Sequence, residues 1–376
     1  METQKNLKIA WLTPPRKAQF SRPGNLLYWE PLFEEFQKEF PDTTFFTQGD
    51  IHPYYRKKFN VHSVGRSKWI PLFNYGYYKR GFIFLSPGII LKLLKTKPKT
   101  VITSGFNLWT ILSALFKKFG RWKLIILWEG SSPTVDYKDN YFRTLIRKYA
   151  AKRSDALITN SYKGKDYLQK YLKINPKKVH KIIYEIPEIK KTKTDKLSKY
   201  KRPIFLYVGR LIPRKGINYL IDAWSGVQEQ SKEGSLLIIG DGSQREKLEK
   251  QVKKLGLKDI YFTGKIDNKK LNSWYQSADV FVFPSLEETW GVVVLEAMSF
   301  GKPILCSKHA GASELVHNNK NGFVFDPRNT GEFVNLIFRF VKSPTLINLY
   351  GKQSKKVFKI YNHLETVSKF KEIINQ

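Results

Sequence analysis

Two short segments of the 376-residue chain combine charged side chains with glycine in patterns that suit phosphate chemistry. The first runs from Val208 to Gly216, reads VGRLIPRKG, and joins a strand-like run to a helix-like one. It places Arg210 and Lys215 on one loop, where a guanidinium and an ammonium can neutralise a diphosphate without a metal ion. Two solvated cations in a basic chain are the alternative, and the spacing alone does not separate the two.

The second segment, FPSLEETWGVVVLEAM from Phe283 to Met298, leads from a strand into an apolar helix. Glu296 lies within that helix, where a carboxylate is costly unless it has a partner; the hydroxyls of a ribose would supply one. A buried carboxylate bonded to backbone is the alternative. Gly291 lets a ligand approach the helix N-terminus, whose free N–H groups favour phosphate. Glu288 is expected on the loop that faces this ligand.

Several motifs of nucleotide and metal chemistry are absent from the sequence. There is no Gly-x-Gly-x-x-Gly after a strand, no Gly-x-x-x-x-Gly-Lys-[Ser/Thr] loop and no Asp-x-Asp pair. No two of the 6 histidines have the spacing of a zinc-binding helix. These absences argue against dehydrogenases, P-loop kinases and metal-dependent sugar transferases, and we expect no metal site. The single cysteine, Cys306, excludes an intrachain disulfide and is predicted to be a packed hydrophobe, with a thiol nucleophile as the alternative.

The elements that must position these segments alternate between strands and helices, which is typical of a doubly wound parallel sheet. A polar, basic stretch at residues 189–202 interrupts the alternation and is predicted to be a linker. The sequence therefore predicts an α/β protein with two Rossmann-like domains, residues 1–190 and 203–352, that face a cleft and bind ligands at the carboxyl ends of their strands. A final helix, within residues 353–376, is predicted to pack back on the first domain.

The charge is uneven along the chain. In total 66 basic residues stand against 32 acidic ones, a net charge of +34, and the first 200 residues hold 39 basic and 15 acidic residues, or +24. Such an excess favours an anionic partner for the first half, although a lysine-rich composition that merely solvates the surface is the alternative. No apolar run is long enough to predict a membrane span, and the N-terminus does not resemble a signal peptide.

At this point the motifs resemble those of a known family. Gly-Arg-Leu-x3-Lys-Gly at 209–216 and Pro-Ser-x2-Glu-x2-Gly-x4-Glu-Ala-Met-x2-Gly-x-Pro at 284–303 are similar to the donor motifs of the retaining GT-B glycosyltransferases of family 4, also called glycosyl transferases group 1. The resemblance covers nearly all of residues 203–327. It implies two Rossmann-like domains, of which the second binds a nucleotide-diphosphate sugar and the first an acceptor.

The resemblance also implies roles for individual residues. Arg210 and Lys215 would hold the phosphates, Glu296 the ribose and Glu288 the sugar. Backbone atoms of Gly291 and of its neighbours Thr289, Trp290 and Val292 would contact the phosphate and the sugar. Lys265 and Ile266 would contact the base. Transfer would retain the anomeric configuration, with the departing diphosphate assisting deprotonation of the acceptor, and would need no cofactor or metal.

The first half matches the family less closely. Many members carry two adjacent glycines in the loop after the first strand, where this chain has Gly24 followed by Asn25, which we take as candidate substrate-binding residues. Many also carry a histidine where this chain has Glu129. Glu129 could contact the donor sugar or act as a base toward the acceptor, and a structural carboxylate is the alternative.

Residues 66–99 interleave basic and aromatic side chains, which suits an anionic lipid surface. Single-stranded nucleic acid, or core aromatics beside exposed lysines, are the alternatives. The resulting hypothesis is a cytoplasmic glycosyltransferase, peripheral at the inner face of the membrane, that extends a glycan or lipid-linked acceptor in cell-envelope polysaccharide or glycolipid synthesis. A sugar-nucleotide epimerase of the same fold is the alternative enzyme, and a basic nucleic-acid-binding protein is the alternative outside enzymes.

Overall fold

The computed structural model describes residues 7–13, 20–21, 23, 26, 28–66, 68–75, 78–188 and 199–376. These residues divide into two compact units. The first unit contains the residues up to Ile186 together with Asn362–Gln376, and the second contains Pro187–Tyr361. Most of the predicted linker, up to position 198, lies outside the described residues.

The first unit is built on a parallel sheet, as predicted. The central strands of this sheet are short runs whose side chains are nearly all buried, which is expected when both faces of a parallel sheet are covered. The described strands of this unit are β1 (Ile9–Leu12), β2 (Thr43–Thr47), β3 (Val61–Ser63), β4 (Lys68–Tyr75), β5 (Tyr78–Phe84), β6 (Thr100–Ser104), β7 (Lys123–Trp128), β8 (Ala156–Thr159) and β9 (Val179–Lys181). The sheet has the order β3-β2-β1-β6-β7-β8-β9, and β4 and β5 pair separately as an antiparallel hairpin.

Helices cover both faces of this sheet. Those that precede the second unit are α1 (Trp29–Glu39), α2 (Pro53–Lys58), α3 (Ile89–Thr96), α4 (Leu108–Leu115), α5 (Lys117–Gly120), α6 (Pro133–Asp136), α7 (Tyr141–Arg153) and α8 (Tyr162–Asp166). Because side chains alternate along a strand, Trp11 of β1 joins one core cluster and Leu12 the other. Helix α1 packs in the cluster with Trp11, and α3, α4 and α7 pack in the cluster with Leu12.

The second unit is also a parallel sheet covered by helices. Its described strands are β10 (Ile204–Val208), β11 (Ser235–Ile239), β12 (Ile260–Gly264), β13 (Val280–Phe283), β14 (Ile304–Ser307) and β15 (Gly322–Phe325). Its described helices are α9 (Ile217–Gln230), α10 (Arg245–Lys254), α11 (Asn268–Ser277), α12 (Val292–Ser299), α13 (Thr330–Lys342) and α14 (Pro344–Lys359). The strand order is β12-β11-β10-β13-β14-β15, with parallel pairing throughout.

The end of the chain differs from the predicted single helix that begins near Gln353. Gln353 lies in α14, which ends at Lys359, and a separate helix α15 (His363–Asn375) follows. The break has a local cause: the Asn362 side chain accepts a hydrogen bond of 2.8 Å from the Glu365 backbone N–H and so begins a new helix. Helix α15 packs in the first unit, where the Phe370 ring stacks on Trp11 with centroids 5.8 Å apart.

Candidate functional site

The order of strands in the second unit creates a natural ligand position. Strand β10 lies in the middle of the sheet, with β11 on one side and β13 on the other. The chain therefore leaves β10 in one direction and returns on its other side, so the loops after β10 and β13 diverge at the carboxyl edge of the sheet. Open α/β sheets bind ligands at such a switch point. The two motif segments are the loops that follow these two strands.

Backbone contacts join these two loops. The carbonyl of Arg214, after β10, accepts from the backbone N–H of Leu286, after β13, at 2.8 Å. Gly216 has a φ of +64°, and a Cβ there would lie 2.2 Å from the carbonyl oxygen of Pro284. Glycine is therefore required at this position by both its backbone conformation and the close approach of the second loop.

A cluster of three charged side chains lies where the loops meet. The Glu288 carboxylate accepts from Lys215 Nζ and, at 3.0 Å, from an Nη of Arg214. The same guanidinium donates to the carbonyl of Glu287 at 2.8 Å. All three charged side chains are largely buried, with Lys215 only 8% exposed. Two cations against one carboxylate leave a net charge of +1, so the cluster is suited to an anionic ligand.

The two cations control the ionisation of Glu288. Burial by itself would raise the pKa of this carboxyl, but the charges and hydrogen bonds of Lys215 and Arg214 outweigh it and lower the pKa from its usual value near 4.5. The carboxylate therefore stays charged at neutral pH. In this structure the Glu288 carboxylate binds the Lys215 ammonium. The Lys215 Nζ also lies 4.9 Å from the centroid of the Phe283 ring.

Arg210 has a different environment from the cluster. It is exposed, and only its backbone carbonyl is fixed by a described contact, through a 3.2 Å hydrogen bond from the hydroxyl of buried Tyr207. It belongs to the same loop as Lys215, directly after β10. Its guanidinium is therefore available to an incoming ligand, whereas Lys215 is already held in place.

The loop after β13 ends at the N-terminus of α12. Gly291 has a φ of +108°, and a Cβ there would lie 2.8 Å from the Phe283 ring. The first backbone N–H groups of a helix have no acceptor within the helix, and their positive end attracts anions. Residues around Gly291 contribute mainly backbone: the Trp290 side chain is fully buried with its carbonyl bonded to Ala312 N at 2.8 Å, and Thr289 and Val292 are half-buried.

Glu296 has a protein partner that the sequence did not indicate. Its Oε2 accepts a hydrogen bond of 2.6 Å from the hydroxyl of Tyr275, which is 1% exposed and stacks on Phe300. The carboxylate itself remains half-buried. A hydroxyl partner thus makes Glu296 tolerable in an apolar helix before any ligand arrives, and the partner stands on α11 where no spacing rule could find it.

Lys265 and Ile266 lie farther along the sheet edge. They follow β12, which is separated from β10 by β11. Lys265 is exposed, and Ile266 lines an open cavity of about 740 Å³ together with Tyr261 and Trp274. These two residues are therefore at the same carboxyl edge as the charged cluster but two strands away from it.

The remaining predicted residues belong to the first unit. Glu129 directly follows β7 and is half-buried. Gly24 and Asn25 lie outside the described residues, as do the side chains of residues 67–84 in the predicted basic, aromatic segment. Within the described chain, no three His, Cys, Asp or Glu side chains group as metal ligands.

Comparisons with known proteins bear on the second unit first. Residues 188–357 match the family model described as "Glycosyl transferases group 1". This match covers less than half of the chain, and we call residues 188–357 the group 1 domain after it. The domain contains every member of the charged cluster, together with Arg210, Gly291 and Glu296.

Curated relatives extend the similarity in sequence. The chain is 26% identical to the alpha-D-kanosaminyltransferase of Streptomyces kanamyceticus over 53% of this chain, and it spans only about half, 54%, of that protein. It is 25% identical to an uncharacterized glycosyltransferase of Haemophilus influenzae over 89% of this chain and 91% of that protein.

Solved structures extend the likeness in fold to the whole chain. HepE of Anabaena in complex with UDP matches with a TM-score of 0.76 at 16% identity, covering 98% of this chain and 100% of that one. The lipopolysaccharide outer core galactosyltransferase WaaB matches with a TM-score of 0.73 at 17% identity, covering 98% and 99%. The two parallel-sheet units thus have the GT-B type of architecture that was predicted.

Proposed function

We propose that the protein transfers a hexosyl-type sugar from a nucleotide-diphosphate sugar to an acceptor, with the donor held by the group 1 domain. The observation that carries this proposal is the Lys215–Glu288–Arg214 cluster, which has a net positive charge at the switch point between β10 and β13. Structural neighbours support the choice of donor, since HepE has been solved with UDP and with UDP-glucose.

Each part of the donor has a chemically suitable partner in the group 1 domain. Arg210 and Lys215 hold the diphosphate, and the N-terminus of α12 beside Gly291 adds backbone N–H donors. Glu296, oriented by Tyr275, accepts from the ribose hydroxyls. Glu288 contacts the sugar, and the binding contacts at Thr289, Trp290 and Val292 are made by backbone. Lys265 and Ile266 lie beside the base.

The reaction proceeds with retention of anomeric configuration. The bond between the anomeric carbon and the diphosphate oxygen breaks, and the acceptor oxygen bonds to the same face of that carbon. The departing diphosphate takes the acceptor proton, so the products are the glycoside and a nucleoside diphosphate. The cations stabilise the negative charge that develops on the leaving group, and this electrostatic effect is the main source of catalysis. No metal or cofactor takes part.

The acceptor binds to the first unit, where Gly24 and Asn25 are candidate substrate-binding residues and Glu129 acts on the donor sugar or on the acceptor hydroxyl. The acceptor is a glycan or a lipid-linked glycan of the cell envelope. The net charge of +24 in the first 200 residues supports the proposal that the enzyme acts at the anionic inner face of the cytoplasmic membrane.

Donor binding is the first test. Thermal unfolding of the whole chain is followed with UDP-, GDP-, ADP- and dTDP-sugars, for the wild type, Arg210→Ala and the control Lys320→Ala, an exposed cation of the same unit. A ligand at a hundred times its dissociation constant stabilises the folded state by about 2.7 kcal/mol. We expect one base to raise the melting temperature in the wild type and the control, and much less in Arg210→Ala.

Other outcomes refute specific parts of the proposal. No stabilisation by any nucleotide sugar removes the donor site, and equal stabilisation of the wild type and Arg210→Ala removes Arg210 from it. Consumption of the donor without an acceptor identifies an epimerase. Salt-sensitive binding of nucleic acid that persists in Glu296→Ala identifies a nucleic-acid-binding protein. Retention is tested by the anomeric coupling constant of the product in NMR spectra, and a product of inverted configuration refutes the proposed mechanism.

A further inference from the structure

Helix α7 in the first unit presents apolar side chains to solvent. Phe142, Leu145 and Ile146 are 76%, 52% and 45% exposed, and Tyr141 beside them is 73% exposed. The spacing of Phe142, Leu145 and Ile146 puts them on one side of the helix. A surface helix of a globular protein normally turns its apolar side toward the core. This helix does the opposite along its first two turns.

The inward contact of Arg147 fixes that orientation. Arg147 is 6% exposed and donates to the carbonyl of Asp136 at 2.6 Å, to the Tyr167 hydroxyl at 2.6 Å and to the carbonyl of Val135 at 3.0 Å. Its guanidinium also lies 5.0 Å from the centroid of the Trp128 ring. Rotation of α7 to bury Phe142 would break these charge-assisted hydrogen bonds. The hydrogen bonds of Arg147 therefore fix the helix with its apolar side toward solvent.

Three neighbouring helices, α3, α4 and α5, continue this surface. Helix α4 packs against both α3 and α7, and all three pack on the same core cluster, so they cover one side of the sheet. Lys117, at the start of α5, donates to the carbonyl of Arg153 at the end of α7. The exposed apolar side chains of these helices are Leu91, Leu94, Leu115, Phe119, Tyr141, Phe142, Leu145 and Ile146, and we call them the apolar–basic face.

The charges carried by the helices of this face have one sign. The sequences of α3, α4, α5 and α7 contain no Asp or Glu, and between residues 51 and 128 the chain has 15 Lys or Arg and no acidic residue. The exposed cations beside the apolar side chains are Lys92, Lys95, Lys118, Arg121, Arg143, Lys152 and Arg153. Large exposed apolar side chains with lysine and arginine around them are typical of a surface that lies in the plane of an anionic bilayer.

We propose that the apolar–basic face docks on an anionic lipid surface, with its leucine and aromatic side chains inserted among the acyl chains and its cations at the headgroups. This inference deepens the membrane part of the proposed function and rests on it. None of the described helices is long and apolar enough to cross a bilayer. A second copy of the chain is a poorer occupant, because pairing this face with itself would bring the same positive charges together.

The test is cosedimentation of the full chain with vesicles of phosphatidylcholine alone or mixed with phosphatidylglycerol. Leu91→Ser/Leu145→Ser removes two leucines of the face, and Leu349→Ser/Leu364→Ser removes two leucines of similar exposure elsewhere. Lys92→Gln/Lys95→Gln removes two cations of the face, and Lys253→Gln/Lys254→Gln removes two exposed cations of α10. Each substituted pair therefore has a control of the same chemistry.

We expect the wild type to sediment with the anionic vesicles only. The leucine pair of the face should weaken partitioning about tenfold or more, and the lysine pair about 25-fold, since a basic residue near an anionic surface contributes a factor of about five. Both control pairs should partition like the wild type. Equal partitioning of face and control variants overturns the proposal, as does a wild type that stays in the supernatant or a dimer that only the face variants abolish.

Donor binding in vesicle-free solution separates this proposal from the proposed function. The face variants are expected to retain the wild-type thermal stabilisation by the nucleotide sugar. Binding of vesicles through the face without binding of any nucleotide sugar refutes the proposed enzymatic function and leaves the docking surface unaffected. Binding of the nucleotide sugar without binding of vesicles refutes the docking surface and leaves the proposed donor site unaffected.

Discussion

Replacement of Glu288 by glutamine tests whether the charged cluster is organised as described. The substitution keeps the shape of the side chain but leaves the Lys215 ammonium and the Arg214 guanidinium without a negative partner. Both are largely buried, and removing one partner of a buried ion pair costs about 3–5 kcal/mol. Glutamine still offers a carbonyl oxygen as acceptor, so we expect about 3 kcal/mol, the lower end of that range.

This cost is large enough to read from thermal unfolding. The second unit spans residues 187–361, and for a unit of this size each kcal/mol corresponds to about 2–4 °C, so Glu288→Gln should lower its melting temperature by about 6–12 °C. Glu249→Gln is the control, because Glu249 forms an ion pair of 2.9 Å with Arg245 in which both side chains are at least a third exposed. Such surface pairs contribute about 0–1 kcal/mol.

The pH dependence gives an independent check. Because the pKa of Glu288 is lowered in the folded protein, its stabilising effect is complete above its usual pKa near 4.5 and is lost as the pH falls through the lowered value. The gap in unfolding free energy between wild type and Glu288→Gln should therefore be present near neutral pH and close in acid. Adding Lys215→Met to Glu288→Gln removes an unpaired ammonium and should recover stability. A gap under about 1 kcal/mol, a gap that widens in acid, or a further loss with Lys215→Met would refute the reasoning.

Three further substitutions test the supporting structure by thermal unfolding. Gly216→Ala should destabilise by clearly more than Gly256→Ala, which has a similar φ of +61° but no atom within 4 Å of the added Cβ and so costs only the left-handed strain of about 1–2 kcal/mol; equal losses would mean that the loop after β13 moves aside. Tyr275→Phe should cost about 2 kcal/mol by removing the hydrogen bond to the Glu296 carboxylate, and should also weaken donor binding; unchanged stability would mean that water replaces the hydroxyl. Asn362→Ala should cost about 1 kcal/mol through loss of the α15 cap, with Asn362→Asp retaining it; identical curves for the two would contradict the capping role.

The parts of the fold that follow from local pattern were predicted from the sequence. Strands such as β8, β10 and β11 follow from such patterns, because buried parallel strands are short runs of apolar residues between turn signals. The edge strands β3 and β9 were not predicted, since three residues carry no periodicity and pair only because a neighbouring strand is in place. The break before α15 depends on one asparagine cap in a helix-forming sequence.

In the site, too, some features follow from local sequence pattern and others depend on contacts between distant residues. The positions of Lys215 and Glu288 after adjacent strands follow from the alternation of elements, because parallel strands end at the same edge of a sheet. Arg214 precedes Lys215 in the motif, but its contact with Glu288 could not be predicted from the sequence. That contact requires the two loops to lie together, as they do through the Arg214 backbone carbonyl. Tyr275 lies 21 residues before Glu296 on another helix, and no spacing rule links them.

Helix α15 has a consequence for how the protein is made. Its Phe370 completes a core that also contains Trp11 and Phe36, so the earliest residues of the chain are packed by some of the latest. The second unit contributes 175 residues between them (187 to 361), and at about 5–20 residues per second a ribosome needs roughly 9–35 s to synthesise that stretch. Throughout this interval the nascent first unit exposes the aromatic side chains that α15 later covers. The second unit can finish folding first, whereas the core of the first unit is completed only after the residues of α15 have been synthesised.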